Sequence, residues 1–177
     1  MKKRIVLIIL MLITFTGCFN NENKALEFKK DYEDINGTYN SDNKEYRKVS
    51  ILDIVNKIDN KDSFYVYFGS NIDPWCRSTI EMADKVSRDN EIEKVYYVDI
   101  LDAKEDESYT KLLELLDDYD EIKIPSYFYI KDGNVKRFVS GVSDLQEDAY
   151  EELSNEILSD EESIFKSFFI NICDDTC

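Results

Sequence analysis

The chain has 177 residues, room for one domain plus an export segment, and 38 acidic against 22 basic side chains give it a formal net charge of −16. Nucleic acid is excluded as a partner, because phosphate binding needs a basic face. There is no histidine, which removes Ser-His and Cys-His nucleophile pairs and every His-ligated zinc site. No metal or other cofactor is expected: Asp117-Asp-Tyr-Asp-Glu121 offers oxygens but lacks the glycine and spacing of a calcium loop, and it reads as an acidic helix end.

Residues 1–17 read as a signal peptide. Lys2, Lys3 and Arg4 form its basic start, and Ile5 to Ile13 is an apolar run too short to span a bilayer comfortably. The run leads into Phe15-Thr-Gly-Cys18, which resembles a bacterial lipobox with Phe where Leu is usual. The resemblance implies a lipid-modified Cys18 at the mature N-terminus. The expected location is therefore the extracytoplasmic face of the cell membrane, with the lipid bilayer as a partner through Cys18 and the protein surface too acidic to add attraction for anionic lipid. Residues 18–44 follow as a tether and N-terminal extension, in which 25–34 suit a short helix with Leu26, Phe28 and Tyr32 as its apolar residues.

Residues 45–177 form the expected domain, with a C-terminal helical extension. Tyr46 to Ile51 predicts a first strand, and Ile51, Leu52, Ile54, Val55 and Ile58 then fit a helical stripe. Phe64 to Phe68 is continuously apolar, as in a strand buried on both faces. Pro74 to about Asn90 predicts a helix with Cys76, Ile80, Ala83 and Val86/Ser87 inward. Lys94 to Ile100 predicts a second buried strand, and Tyr109 to Tyr119 a helix through its leucines. Ser126 to Lys131 and Val135 to Ser140 predict a hairpin about Asp132-Gly133. Leu145 to Leu158 and Ile164 to Ile172 predict two closing helices. Alternation followed by a hairpin gives an α/β fold with a mixed sheet. The acidic runs at 99–121 and 144–162 read as solvated helix faces.

Four cysteines matter to function. If Cys18 is lipidated, Cys76, Cys173 and Cys177 remain, in a compartment where disulfides persist. Cys76 lies in the first turn of a helix, where the N-terminal dipole favours a thiolate. Cys173 and Cys177 could pair with each other, or one could meet Cys76 if the last helix folds back; disulfide geometry needs Cα atoms within about 7 Å.

Two segments resemble the thioredoxin/glutaredoxin superfamily. One is Tyr65-Val-Tyr-Phe-Gly-Ser-Asn-Ile-Asp-Pro-Trp-Cys-Arg77; the other, Ile124-Pro125-Ser-Tyr-Phe-Tyr-Ile-Lys-Asp-Gly133, is similar to the family's cis-proline strand and hairpin. The resemblance covers roughly residues 45–158 and implies a thioredoxin-like α/β/α sandwich. It further implies a substrate-binding groove formed by Trp75, Ile124 and Pro125. Asp73-Pro74-Trp75-Cys76 is similar to the glutaredoxin-type Cys-Pro-aromatic-Cys with its first cysteine replaced, so Asp73 holds the nucleophile position and Cys76 the sheltered one. In a second register Trp75-Cys76 opens the motif and Thr79 stands at its end. The expected function is a membrane-anchored thioredoxin-like module that binds protein or peptide clients without ordinary dithiol chemistry. The alternatives are a thiol-disulfide oxidoreductase using Cys76 with Cys173 or Cys177, and, through similarity to exported lipoproteins found beside bacteriocin exporters, an accessory or immunity lipoprotein.

Overall fold

The computed structural model of the protein describes residues 24, 26–32, 45–116, 119–140 and 168. Residues 26–32 are helical and are called α1 here. After them come β1 (Tyr46–Lys48), α2 (Ile51–Asp59), β2 (Phe64–Gly69), α3 (Pro74–Asp89), β3 (Val95–Asp99), α4 (Ile100–Ala103), α5 (Glu107–Leu116), β4 (Ser126–Lys131) and β5 (Asn134–Ser140). The two closing helices expected from Leu145 and Ile164 lie outside the described residues, except for Phe168, which is helical and buried.

Local chemistry sets several boundaries away from the sequence expectation. The first strand stops at Lys48, short of Ile51, because Ser50 caps a helix. Its hydroxyl accepts the Asp53 N–H at 3.1 Å while the Asp53 carboxylate accepts the Ser50 N–H at 3.1 Å. This reciprocal capping box satisfies two donors that the helix start leaves orphaned. β3 likewise ends at Asp99, and Ile100 begins the short α4 rather than finishing a strand. The leucine-rich helix runs Glu107–Leu116, two residues earlier at its start than expected and ending before Tyr119.

The five strands form one sheet in the order β1-β3-β2-β4-β5. β1, β3 and β2 are parallel, while β4 is antiparallel to β2 and to β5. Asp132 and Gly133 carry the β4–β5 turn at φ 53° and 75°, the left-handed pair that a two-residue hairpin requires. Alternation along the strands divides the core in two. One face gathers Phe28, Tyr32, Tyr46, Tyr67, Tyr97, Tyr127, Tyr129 and Phe168 against Ile80, Ala83 and Val86 of α3. The other packs Val66, Phe68, Val98, Phe128 and Ile130 against α2 and α5. The result is a three-layer α/β/α sandwich with a mixed central sheet, thioredoxin-like in strand order and crossovers.

α1 belongs to this core. Phe28 is fully buried and stacks on Tyr46 at a 4.7 Å ring separation, and the Tyr32 hydroxyl meets the Tyr67 hydroxyl at 3.1 Å. Aromatic pairs of this kind contribute about 0.5–1.5 kcal/mol beyond simple burial. Leu26, counted among the helix's apolar residues, faces outward instead.

Candidate functional site

The site lies where β2 ends. Tyr67 turns its ring back beside Gly69, so that a Cβ on Gly69 would sit 2.4 Å from the Tyr67 ring; a side chain there would displace the phenol. Ser70 follows, and Asp73 caps α3. The Asp73 carboxylate accepts the Cys76 N–H at 2.8 Å, and Pro74 takes the first helical position. Asp and Pro suit those two positions on backbone grounds alone.

Cys76 is the only cysteine among the described residues and it is free, with no exposed surface. The Ser70 N–H donates to its Sγ at 3.3 Å, and the Tyr67 hydroxyl also hydrogen-bonds to it. These bonds favour a thiolate, but burial and the adjacent Asp73 charge oppose it more strongly, and the thiol is held far above its ordinary range. The helix N-terminus therefore does not activate Cys76: its positive end is already occupied by the Asp73 carboxylate, and the sulfur is out of water. The nucleophile-like presentation expected from a helix-start cysteine is not what the geometry provides.

Behind the sulfur lies a phenol network that sequence reasoning missed. Tyr67 meets Tyr32, Tyr32 is linked to Tyr97, and Tyr97 donates to Asp99 Oδ2 at 3.3 Å. Burial raises the Tyr32, Tyr67 and Tyr97 hydroxyls and also the Asp99 carboxyl, which a Ser70 hydrogen bond partly offsets. Asp99 is 9% exposed and its Oδ1 has no hydrogen-bond partner among the described residues. Asn71 seals the corner by donating to the Asp31 carbonyl at 2.8 Å, at the end of α1. The available signal was tyrosine at alternate positions, 65 and 67 in one strand and 127 and 129 in another. That spacing puts the phenols of each strand on one face.

The Ile124–Pro125 peptide is cis. The register Phe68↔Ser126 sets it beside Gly69 at the same end of the sheet as Asp73 and Cys76. The Ser140 hydroxyl donates to the Pro125 carbonyl at 3.4 Å. Ile124 and Trp75 are half-buried, and Ser126 Oγ is buried with no hydrogen-bond partner among the described residues. The fold thus gathers Asp73, Trp75, Cys76, Ile124 and Pro125 at one end of β2 and β4. Cys18, Cys173 and Cys177 lie outside the described residues, as do the first two residues of the acidic helix end, Asp117 and Asp118. Among the described residues no group of three Cys, Asp or Glu side chains could hold a metal ion. A cavity of about 570 Å³ opens at the other end of the sheet, around Lys57, Phe64, Lys94 and Tyr96.

No protein-family model matches the chain, and no curated protein does. Solved structures that it is similar to include a protein with a thioredoxin fold, at 14% identity and a TM-score of 0.44, covering 66% of this chain and 93% of that one. Two others are thioredoxin O1 and thioredoxin O2 from Arabidopsis thaliana, both in the oxidized state. These share 16% and 15% identity with TM-scores of 0.44, and each covers 71% of this chain, against 98% and 95% of their own. The strand order β1-β3-β2-β4-β5, with a cis proline just before β4, is itself thioredoxin-like.

Proposed function

We propose that this chain is a lipid-anchored, extracytoplasmic thioredoxin-fold protein that binds an extended segment of a client protein and lacks ordinary dithiol chemistry. One observation carries the reading: the helix-cap position is held by half-buried Asp73, and Cys76, the one cysteine among the described residues, is completely buried. Thiol exchange needs an accessible thiolate that forms a mixed disulfide, and Asp73 cannot supply one. The Ile124 backbone makes no hydrogen bond among the described residues. An unpaired stretch of backbone of this kind suits pairing with an extended peptide, with Trp75 as the neighbouring apolar contact.

The test combines alkylation with disulfide mapping on the protein from Cys18 onward. Cys76 should react slowly with iodoacetamide at neutral pH and rapidly after denaturation, and the wild type should not reduce insulin. Rapid alkylation of native Cys76, or a disulfide joining it to Cys173 or Cys177, would overturn the reading in favour of an oxidoreductase. Asp73→Cys places two cysteines three residues apart at the helix start and should confer insulin reduction.

A further inference from the structure

Five large apolar side chains are exposed among the described residues: Leu26, Leu52, Ile72, Leu101 and Phe138. Four of them gather at one rim. Leu52 lies in the first turn of α2, just after β1; Leu101 lies in α4, just after β3; Ile72 lies in the loop after β2. β1, β3 and β2 are adjacent and parallel, so the three residues follow the C-terminal ends of three neighbouring strands, which are spaced about 4.8 Å apart. α1 runs beside the same rim. Lys24, two residues before it, pairs with Asp53 next to Leu52 at 3.8 Å, and its end meets Asn71 next to Ile72. Leu26 projects from that helix, 47% exposed, and Ile72 is 70% exposed. Scattered single apolar residues on a surface need no explanation, but a clustered set marks a contact surface.

The occupant follows from the chain that leads to this rim. Five residues lie between Cys18 and Lys24, and fully extended the segment reaches roughly 20 Å. Lys24 lies at the rim beside Asp53, so a lipid on Cys18 would hold this end of the molecule near the membrane. We propose that the rim formed by Leu26, Leu52, Leu101 and Ile72 rests on the surface of a neutral lipid bilayer, so that Trp75 and Asp73 face the membrane–water interface. The inference rests on the lipid-anchor reading. It deepens the function by restricting clients to segments at or just above the bilayer. Neutral lipid is specified because Asp73 and Asp102 stand at the rim and the chain carries a net charge of −16, which disfavours an anionic surface.

Trp75 is the only tryptophan and stands three residues after Ile72, so it reports on this contact directly. The full chain, expressed with its leader and purified with its acyl groups, is reconstituted into phosphatidylcholine vesicles carrying lipids brominated near the headgroup. Trp75 fluorescence should be quenched by these lipids and shielded from acrylamide. The pair Ile72→Asp and Leu101→Asp should reduce the lipid quenching severalfold while the protein still floats with the vesicles. If the anchored wild type floats but Trp75 stays open to acrylamide and unquenched by lipid, the docking inference fails and the anchor stands. If mass spectrometry shows Cys18 without acyl groups, both fail together.

Discussion

At the scale of single residues, Cys76 and Asp99 show burial overriding the local preference of the backbone. A helix start lowers a thiol's pKa in isolation; here desolvation comes first and the Asp73 charge second, and together they raise it above the ordinary 9.0. The folded chain therefore keeps a proton that the unfolded chain releases above about pH 9, so stability must fall as pH rises past that point. The buried Tyr32, Tyr67 and Tyr97 hydroxyls add to the fall beyond their ordinary 10.0. Urea midpoints measured between neutral and alkaline pH should show this slope, and Cys76→Ala should make its lower part shallower. Asp99 gives the matching effect for an acid. Burial raises its carboxyl from the ordinary 3.8, so ionising it at neutral pH costs stability that is regained as pH falls. Asp99→Asn should raise the melting temperature at pH 7, with the gain vanishing below pH 3.8, where the carboxyl is protonated in both states. An unchanged melting temperature at pH 7 would show that its unpartnered Oδ1 is solvated in the native protein. Asp73 and Cys76 stood out in the sequence; Asp99 did not, because nothing in its neighbours says that a strand-end aspartate will be covered.

At the scale of elements, backbone chemistry was the dependable guide. Asp73-Pro74 started α3 where cap and N1 preferences put it, and Asp132-Gly133 turned the hairpin. Gly133 is required twice over: its φ is +75°, and a Cβ would stand 2.6 Å from the Ile58 carbonyl oxygen, which is backbone and cannot swing away. Gly133→Ala should destabilise the protein by more than about 1 kcal/mol, a loss readable as a melting temperature lower by several degrees. The same logic was available at Ser50, where the capping box with Asp53 outweighs the strand preference of Val49 and Ile51. Good strand formers do not extend a strand through a residue that is better placed as a helix cap. Ile100 has the same character: its apolar side chain suits a buried strand, but it opens α4 and is still fully buried, so hydrophobicity alone could not mark the boundary.

At the scale of the whole molecule, α1 turns a peripheral segment into part of the site. Phe28 contributes a fully buried ring between Tyr46 and Tyr97, and Tyr32 closes the phenol network over Cys76. Phe28→Ala should cost about 3–5 kcal/mol, as large aromatic truncations do, and should also speed alkylation of Cys76 as the helix loosens. A loss of stability with no change in alkylation would mean that α1 packs against the core without sealing the sulfur. By itself, the sequence determined the hairpin, the helix cap and most of the order of the described elements. Those features depend on periodicity and on residues whose backbone preferences act over three or four positions. Only the tertiary structure decided that Cys76 is sealed from water, that five strand tyrosines are buried on one face of the sheet, and that Tyr32 of α1 joins them. Burial is created by segments distant in the chain, such as Tyr32 on Tyr67, and no local pattern encodes which of them will meet.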